Sequence, residues 1–351
     1  MTDQSTEETP QVQETKEPES APAASSESQP HVAESEPTAA PAVPETNTET
    51  QPTGPVWPEL TADHPLSKLS ADLPAILEKA GYDEVYGLKL SDVTSFHTKL
   101  ILQKFLRANA NDLVKAKEQL LGTLKWRKEF EPLKAVEEEH SKDKFGGLGY
   151  VTVLSDVPGS SNEKDVVTFN IYGAVKDNKK TFGDIERLVA SLARSIVADS
   201  GLLTFLTSFL RWRVALMELS IQELDLASAT RPIPDHGNGP DPYQGIQIHD
   251  YLNISFIRQD PAVKAASKKT IDTFSAYYPE MLSRKFFINV PVVMGWVFQA
   301  FKLILPKETI RKFTVLSYGN QLASELGPGV PQVYGGKGES LEQIGETVKL
   351  A

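Results

Sequence analysis

The sequence predicts an α/β fold in which a small helical bundle precedes a mostly parallel sheet with flanking helices. Three observations carry that prediction. Apolar residues recur at spacings of three and four from about residue 66 to 134. After Gly149 the period shortens, and short runs rich in Val, Ile and Phe take over. Those runs then alternate with longer amphipathic stretches, and strands alternating with helices favour a parallel sheet.

The first segment, 1–55, is rich in Glu, Pro, Ser, Thr, Ala and Gln and has no aromatic residue before Trp57. Residues 1–53 hold 11 acidic residues and one Lys, so they carry −10 of the formal net charge of −11. Such a segment cannot bury enough apolar surface to offset its ordering entropy, so it is expected to be disordered. It serves either as an acidic interaction tail or simply as a solubilising one. The remaining chain is nearly neutral, with no domain-wide basic field to hold nucleic acid.

The chain has no cysteine. Disulfides, thiolate metal or haem ligation and cysteine nucleophiles are therefore excluded. Met1-Thr2-Asp3-Gln4 offers neither a basic nor an apolar leader region, so no secretory signal is expected. The longest apolar stretch, 290–305, contains Gln299 and Lys302 and falls short of the roughly 20 residues of a spanning helix. A soluble intracellular chain is expected.

Within the bundle, Phe96, Leu100, Ile101, Phe105 and Leu106 share one helical face. Asn111 or Asp112 can cap a second helix, in which Leu113, Ala116, Leu120 and Leu124 recur and Trp126 and Phe130 extend the apolar side. Strands are then expected at 150–154, 166–172, 246–254, 286–290 and 313–316. Helices are expected at 182–197, 202–219 (interrupted by Arg211 and Arg213), 261–277 and 292–303. The Pro- and Gly-rich run 231–244 reads as an irregular loop. The resulting organisation is a tail (1–55), a helical bundle (66–134) and a ligand-binding α/β domain (135–345).

Several motifs fail on inspection. Tyr334-Gly335-Gly336-Lys337-Gly338 lacks the leading glycine and the Ser or Thr of a phosphate loop. Phe145-Gly146-Gly147-Leu148-Gly149 precedes a strand, whereas a dinucleotide fingerprint follows one. Both read as turns. No nucleophile elbow or His-Glu-x-x-His zinc helix occurs. Glu137-Glu138-Glu139-His140 reads as a solvated helix end rather than a metal site.

Four blocks occur in order: Lys104-Phe105-Leu106-Arg107-Ala108 with Leu124-Lys125-Trp126-Arg127; Tyr277-Tyr278-Pro279-Glu280; Phe287-Ile288-Asn289-Val290-Pro291; and Pro331-Gln332-Val333-Tyr334-Gly335-Gly336-Lys337. Together they resemble the CRAL-TRIO family, the yeast "Sec fourteen"-like lipid-transfer proteins, over roughly residues 66–340. The resemblance implies a pocket for one lipid or other hydrophobic molecule, gated by a mobile apolar helix at 292–303. A buried core helix would give the same apolar pattern. An exposed gate would also dock on a bilayer surface. Lipid-transfer members often carry a basic pair after Phe-Leu-Arg-Ala to hold the inositol phosphate. Here those positions are Asn109 and Ala110, which puts the usual headgroup grip in doubt.

A closer likeness rests on Asn170-Ile171-Tyr172-Gly173, Leu210-Arg211-Trp212-Arg213, Gln247-Ile248-His249-Asp250-Tyr251 and Val290-Pro291-Val292-Val293-Met294-Gly295-Trp296-Val297. These segments resemble the fungal branch called "Sec fourteen homologue five". The branch implies a non-enzymatic phosphatidylinositol transfer protein of the cytoplasm, peripheral on endoplasmic reticulum or microsomal membranes. It also implies ferric haem b with a tyrosine on the iron, and a role in phosphoinositide homeostasis or oxidant stress.

Carried over position by position, the branch's haem contacts fall on Tyr172, Arg213, His249, Tyr251 and Lys285. Tyr251 would be the axial ligand and His249 its hydrogen-bond partner or a second ligand. Arg213 and Lys285 would meet the propionates or the phenolate, and Tyr172 would hydrogen-bond or stack. The residues permit this, because His249 and Tyr251 lie two apart in an expected strand and face the same way. A Tyr–His pair is equally compatible with a hydrogen-bonded core pair, Arg213 with an ion pair to Glu218, and Lys285 with a snorkelling side chain. A haem-dependent oxidoreductase of peroxidase type and a lipid-sensing adaptor are the alternative functions.

Overall fold

The helical bundle starts where Pro65 fixes the first turn of α1 (Pro65–Ala80) and His64 Nδ1 accepts the Leu66 N–H at 3.1 Å. It stops at Gly81, whose φ of 60° lets its N–H turn back to the carbonyls of Leu77 and Glu78. α2 (Phe96–Ala108) and α3 (Leu113–Phe130) follow. Asp112, one of the two expected caps, begins α3 by accepting from the Val114 and Lys115 N–H groups, both at 3.1 Å. Leu69, Leu73, Leu100, Ile101, Phe105, Leu120 and Leu124 bury the shared apolar faces.

The computed structural model describes residues 54–184, 207–254, 260–292 and 311–351, all within one compact unit. The acidic tail lies outside these residues apart from its last two positions. So does the expected gate apart from Val292, and so does the helix expected at 182–197 beyond residue 184.

α4 (Pro132–Glu137) leads to Glu138 and Glu139, which are exposed as a solvated helix end should be. His140 departs from that reading. It is buried, and its Nε2 lies 2.7 Å from the Ala135 carbonyl.

Five strands form one sheet in sequence order: β1 (Gly149–Ser155), β2 (Lys164–Ile171), β3 (Gly245–Asp250), β4 (Leu282–Ile288) and β5 (Phe313–Val315). β1 and β2 pair antiparallel, and every later pair is parallel. Four of the strand boundaries differ instructively from the sequence expectation. β2 ends one residue early, and Tyr172 opens a 3-10 turn. β3 stops at Asp250 rather than 254, because Asn253 adopts φ 66° in a turn. β4 begins at Leu282 rather than 286, since its polar first half pairs with Gly245–Gln247. Its end is at Ile288, where Asn289 takes φ 58°.

The helix expected at 202–219 is α5 (Ser208–Glu223), and α6 (Pro261–Tyr277) has its expected bounds. α5 is apolar on nearly all sides because it is buried on nearly all sides. Leu210, Val214, Met217 and Ile221 join the bundle core, while Trp212, Ala215, Leu216 and Leu219 pack with Val151 and Val166 of the sheet. The opposite face of the sheet, through Phe169, Ile248 and Phe286, packs on Leu322, Leu326 and Tyr334 from the C-terminal segment. Both glycine motifs are turns. A Cβ on Gly336 would lie 1.9 Å from the Val330 carbonyl oxygen, and one on Gly149 would lie 2.4 Å from Leu216.

Two buried ion clusters join bundle to sheet domain. Arg127 bonds Glu84 (3.1 and 2.8 Å) and Glu218 (2.6 and 3.2 Å), and the Tyr278 hydroxyl donates to Glu218 at 2.6 Å. Lys104 Nζ meets Asp241 at 2.7 Å and the carbonyls of Tyr243 and Glu280. Arg107 donates to the carbonyls of Pro234, Asp235 and Gly239, so the 231–244 loop is held from α2.

Candidate functional site

Strand alternation sets one face of the sheet apart from the other. Ile246, Ile248, Phe286 and Ile288 turn to the apolar core. Gln247 and His249 turn to the other face, beside Lys285 and Phe287, with which they pair in register. The Tyr251 N–H donates to the Ile288 carbonyl at 3.1 Å, so the ladder runs one residue beyond β3 and keeps Tyr251 beside His249. Tyr172, two residues past Asn170 in the turn after β2, joins them; Asn170 itself is in register with His249.

The rings form one cluster at the C-terminal end of the parallel strands. Tyr172 lies 5.4 Å from His249 and 5.5 Å from Tyr251, centre to centre. Phe287 lies 5.6 Å from His249 and 6.3 Å from Tyr251, and 5.4 Å from Phe313 of β5. α5, α6 and β4 supply the rest. The Arg213 guanidinium sits 4.8 Å from the Phe274 ring centre, and Lys285 Nζ lies 5.3 Å from that of Phe287 and 5.9 Å from that of Phe313. All five sequence-derived residues thus share one locale.

The polar connections are thin. Arg213 Nη2 reaches Gln247 Oε1 only at 3.4 Å, and His249 Nε2 lies 3.4 Å from the same oxygen. Arg213 is buried, yet its Nε and Nη1 have no hydrogen-bond partner. Among the described residues, neither Arg213 nor Lys285 has a carboxylate partner. The expected alternative for Arg213, a pair with Glu218, does not form. Glu218 is instead bonded to Arg127 and Tyr278.

Burial is the first cause of each shift around these two cations, and their charges add to it at His249 and Lys285 and oppose it at Tyr172. Burial, then the neighbouring Arg213 charge, depresses Lys285 to about 8. Burial, with Lys285 and Arg213 beside it, holds His249 well below the usual imidazole range, so its ring is neutral. Burial lowers Arg213, and Tyr172 partly offsets that. Burial pushes the Tyr172 and Tyr251 phenols up, which favours their protonated forms.

These features fit haem. A phenol and a neutral imidazole are oxygen and nitrogen donors suited to ferric iron, the orphaned Arg213 N–H groups and Lys285 Nζ suit carboxylates, and aromatic rings line the locale. Sequence reasoning missed Gln247, Phe274, Phe287 and Phe313. The signal for Phe287 and Gln247 was present, since each lies two positions from a candidate residue on the same strand. Phe274 and Phe313 carry no such mark. A separate groove of about 250 Å³, lined by Trp57, Leu60, His64, Gln103, Ile233 and Asp235 among others, contains none of the five.

The comparisons with known proteins agree with this architecture. A family model described as "CRAL/TRIO domain" matches residues 192–336. The phosphatidylinositol transfer protein SFH5 of Phaeosphaeria nodorum is 59% identical over 312 residues, covering 89% of this chain and 88% of that protein. The chain belongs to the CRAL/TRIO family. Within it, the sfh5 protein of Sclerotinia sclerotiorum is 54% identical over 294 residues, 82% of this chain but only 64% of that longer relative. A solved family structure, "Crystal structure of Sfh5", superposes with a TM-score of 0.63 at 28% identity, over 81% of this chain and 90% of that one. The chain thus has the family's α/β fold and falls with its fungal Sfh5 members.

Proposed function

We propose that this chain is a non-enzymatic phosphatidylinositol-binding and transfer protein whose pocket also takes ferric haem through Tyr251. The observation that carries the proposal is the Arg213–Lys285 pair, the first buried and the second partly buried beside aromatic rings, with no carboxylate partner among the described residues. A site built this way stores an unmet demand for a ligand that is apolar in its body and anionic at one end. A phospholipid and a haem both answer that description. The relatives' names supply the lipid class.

Tyr251 is the iron ligand in this reading. Its phenol would lose the Oη proton to solvent only when a strong cation coordinates that oxygen, since burial otherwise holds it protonated. His249, kept neutral, is available as a hydrogen-bond partner or second ligand. Arg213 and Lys285 would meet the propionates, and Tyr172 would pack beside the macrocycle. Bound haem supplies a ferric centre that phenolate ligation keeps oxidised, which suits sequestration or sensing, and with it a part in oxidant-stress response. The inositol phosphate is not gripped at Asn109, whose amide is already bonded to the Phe105 carbonyl (2.9 Å) and Gln119 (2.6 Å). Arg213 and Lys285 are the donors on offer instead. No helix among the described residues is long and apolar enough to cross a membrane, and the proposed location is cytoplasmic and peripheral on endoplasmic reticulum or microsomal membranes.

The test is vesicle-to-vesicle transfer of labelled phosphatidylinositol and phosphatidylcholine, with mass analysis of the lipid extracted from the purified protein. Phosphatidylinositol is expected both in the extract and in the transfer assay, above phosphatidylcholine. Absence of any extracted or transferred lipid, with haem retained, would reduce the protein to a haem carrier.

A further inference from the structure

The loops that leave β3, β4 and β5 are tied together by one hydrogen-bond hub. Asp250 Oδ1 accepts from the Leu252 N–H at 2.9 Å and from Asn289 Nδ2 at 2.7 Å. Asn289 Oδ1 accepts from the Gly319 N–H at 2.7 Å, and the Tyr334 hydroxyl donates to Asp250 Oδ2 at 3.0 Å. Each tie fixes a short segment, and each segment presents an apolar side chain to solvent within three residues of the hub. Leu252 is 53% exposed, Val292 70%, Tyr318 64% and Val333 74%. Exposed apolar side chains scattered singly need no explanation. Four of them held by one rigid hub, at the strand ends where the ring cluster lies, do.

Charge selects the partner. On one side of the patch, Lys176 and Lys179 are exposed on the segment after β2, and that segment touches the hub loops. A Cβ on Gly173 would lie 1.9 Å from the Leu252 carbonyl oxygen. On the other side Lys337 is exposed, four residues from Val333. Asp177 and Glu339 are also exposed there, and Lys180 is paired with Asp143 at 3.1 Å, so the cationic excess is modest. We infer that Leu252, Tyr318 and Val333, with Val292, form the face that docks on an anionic bilayer surface, their side chains entering the interface while the flanking lysines meet the headgroups. The hub ties together the residues that bear these side chains. It also brings the strand ends, and the site between them, to the lipid. The choice of a bilayer rather than another protein rests on the transfer reading above.

The test is co-sedimentation of the full chain with phosphatidylcholine vesicles, with and without phosphatidylserine. Val292 is left unchanged because it opens the expected gate. The triple variant Leu252→Ser/Tyr318→Ser/Val333→Ser is expected to lose about tenfold or more in vesicle partition. Its thermal midpoint and its uptake of haemin in solution should be unchanged. Lys176→Ala/Lys179→Ala/Lys337→Ala should lose only the part of binding that phosphatidylserine adds. Leu252→Trp should bind more tightly than the parent chain. Unaltered partition in the triple variant overturns the inference, as does a triple variant that loses self-association instead of vesicle binding. A parent chain that docks and loses affinity in the triple variant, yet carries no phosphatidylinositol, leaves the docking face standing and overturns the transfer reading.

Discussion

Arg127→Met is expected to destabilise the protein by about 3–5 kcal/mol, a fall of about 10 °C in Tm for a unit of this size. The side chain is fully buried, and its guanidinium divides between Glu84 and Glu218, with Tyr278 completing the Glu218 oxygen. Removing it leaves two carboxylates facing each other with no cation between them. The cost therefore comes mainly from the anions left behind rather than from one lost bond. Three elements lose their common tie, because Glu84 lies in the short hairpin after α1, Arg127 in α3 and Glu218 in α5. Thermal unfolding followed by circular dichroism measures the effect. A change of less than about 2 °C would mean that the two carboxylates find other partners or water.

The second large effect has the opposite sign on stability. Arg213→Met/Lys285→Met should raise the Tm of the ligand-free protein while weakening binding of an anionic amphiphile such as haemin by about 100-fold, since each charge-assisted contact contributes about 1.5–3 kcal/mol. In the proposed function, two neighbouring like charges with no carboxylate partner among the described residues are a cost carried for the ligand. The pH dependence follows from Lys285. Its native pKa is depressed to about 8 from 10.5, chiefly by burial and then by Arg213. Between those values the unfolded chain binds more protons than the native one, so the parent protein gains stability as pH rises from about 8 towards 10.5. The gap between the ligand-free variant and parent should therefore be widest below pH 8 and narrow above it. A variant that loses stability, or that binds haemin as tightly as the parent, would show that the pair serves the fold.

Much of the fold was legible because its signals are local. The cap at Asp112, the three-four spacing in the bundle and the bounds of α6 all follow from neighbouring residues. Strand ends were less legible, because they are set by partners distant in sequence. β4 extends back to Leu282 through pairing with β3, and β3 ends where Asn253 turns. His140 reads as solvated in sequence because its neighbours are charged, yet its ring is taken into the core by the Ala135 carbonyl. The site was half legible. Period-two alternation puts His249 beside Tyr251, but nothing in the sequence shows that Glu218 is consumed by Arg127. That competition leaves Arg213 without a carboxylate partner among the described residues. The resemblance named the five residues; the packing leaves two of them without a carboxylate partner among the described residues.

The most direct test of the account is the absorption spectrum of the protein purified without added cofactor, compared with that of Tyr251→Phe. The account predicts a Soret band with ferric high-spin charge-transfer features in the parent protein. In the variant those features should be lost, with the fold retained because Phe keeps the ring contacts to Tyr172 and Phe287. A colourless protein that also fails to take up haemin, or a spectrum unchanged by Tyr251→Phe, would contradict it.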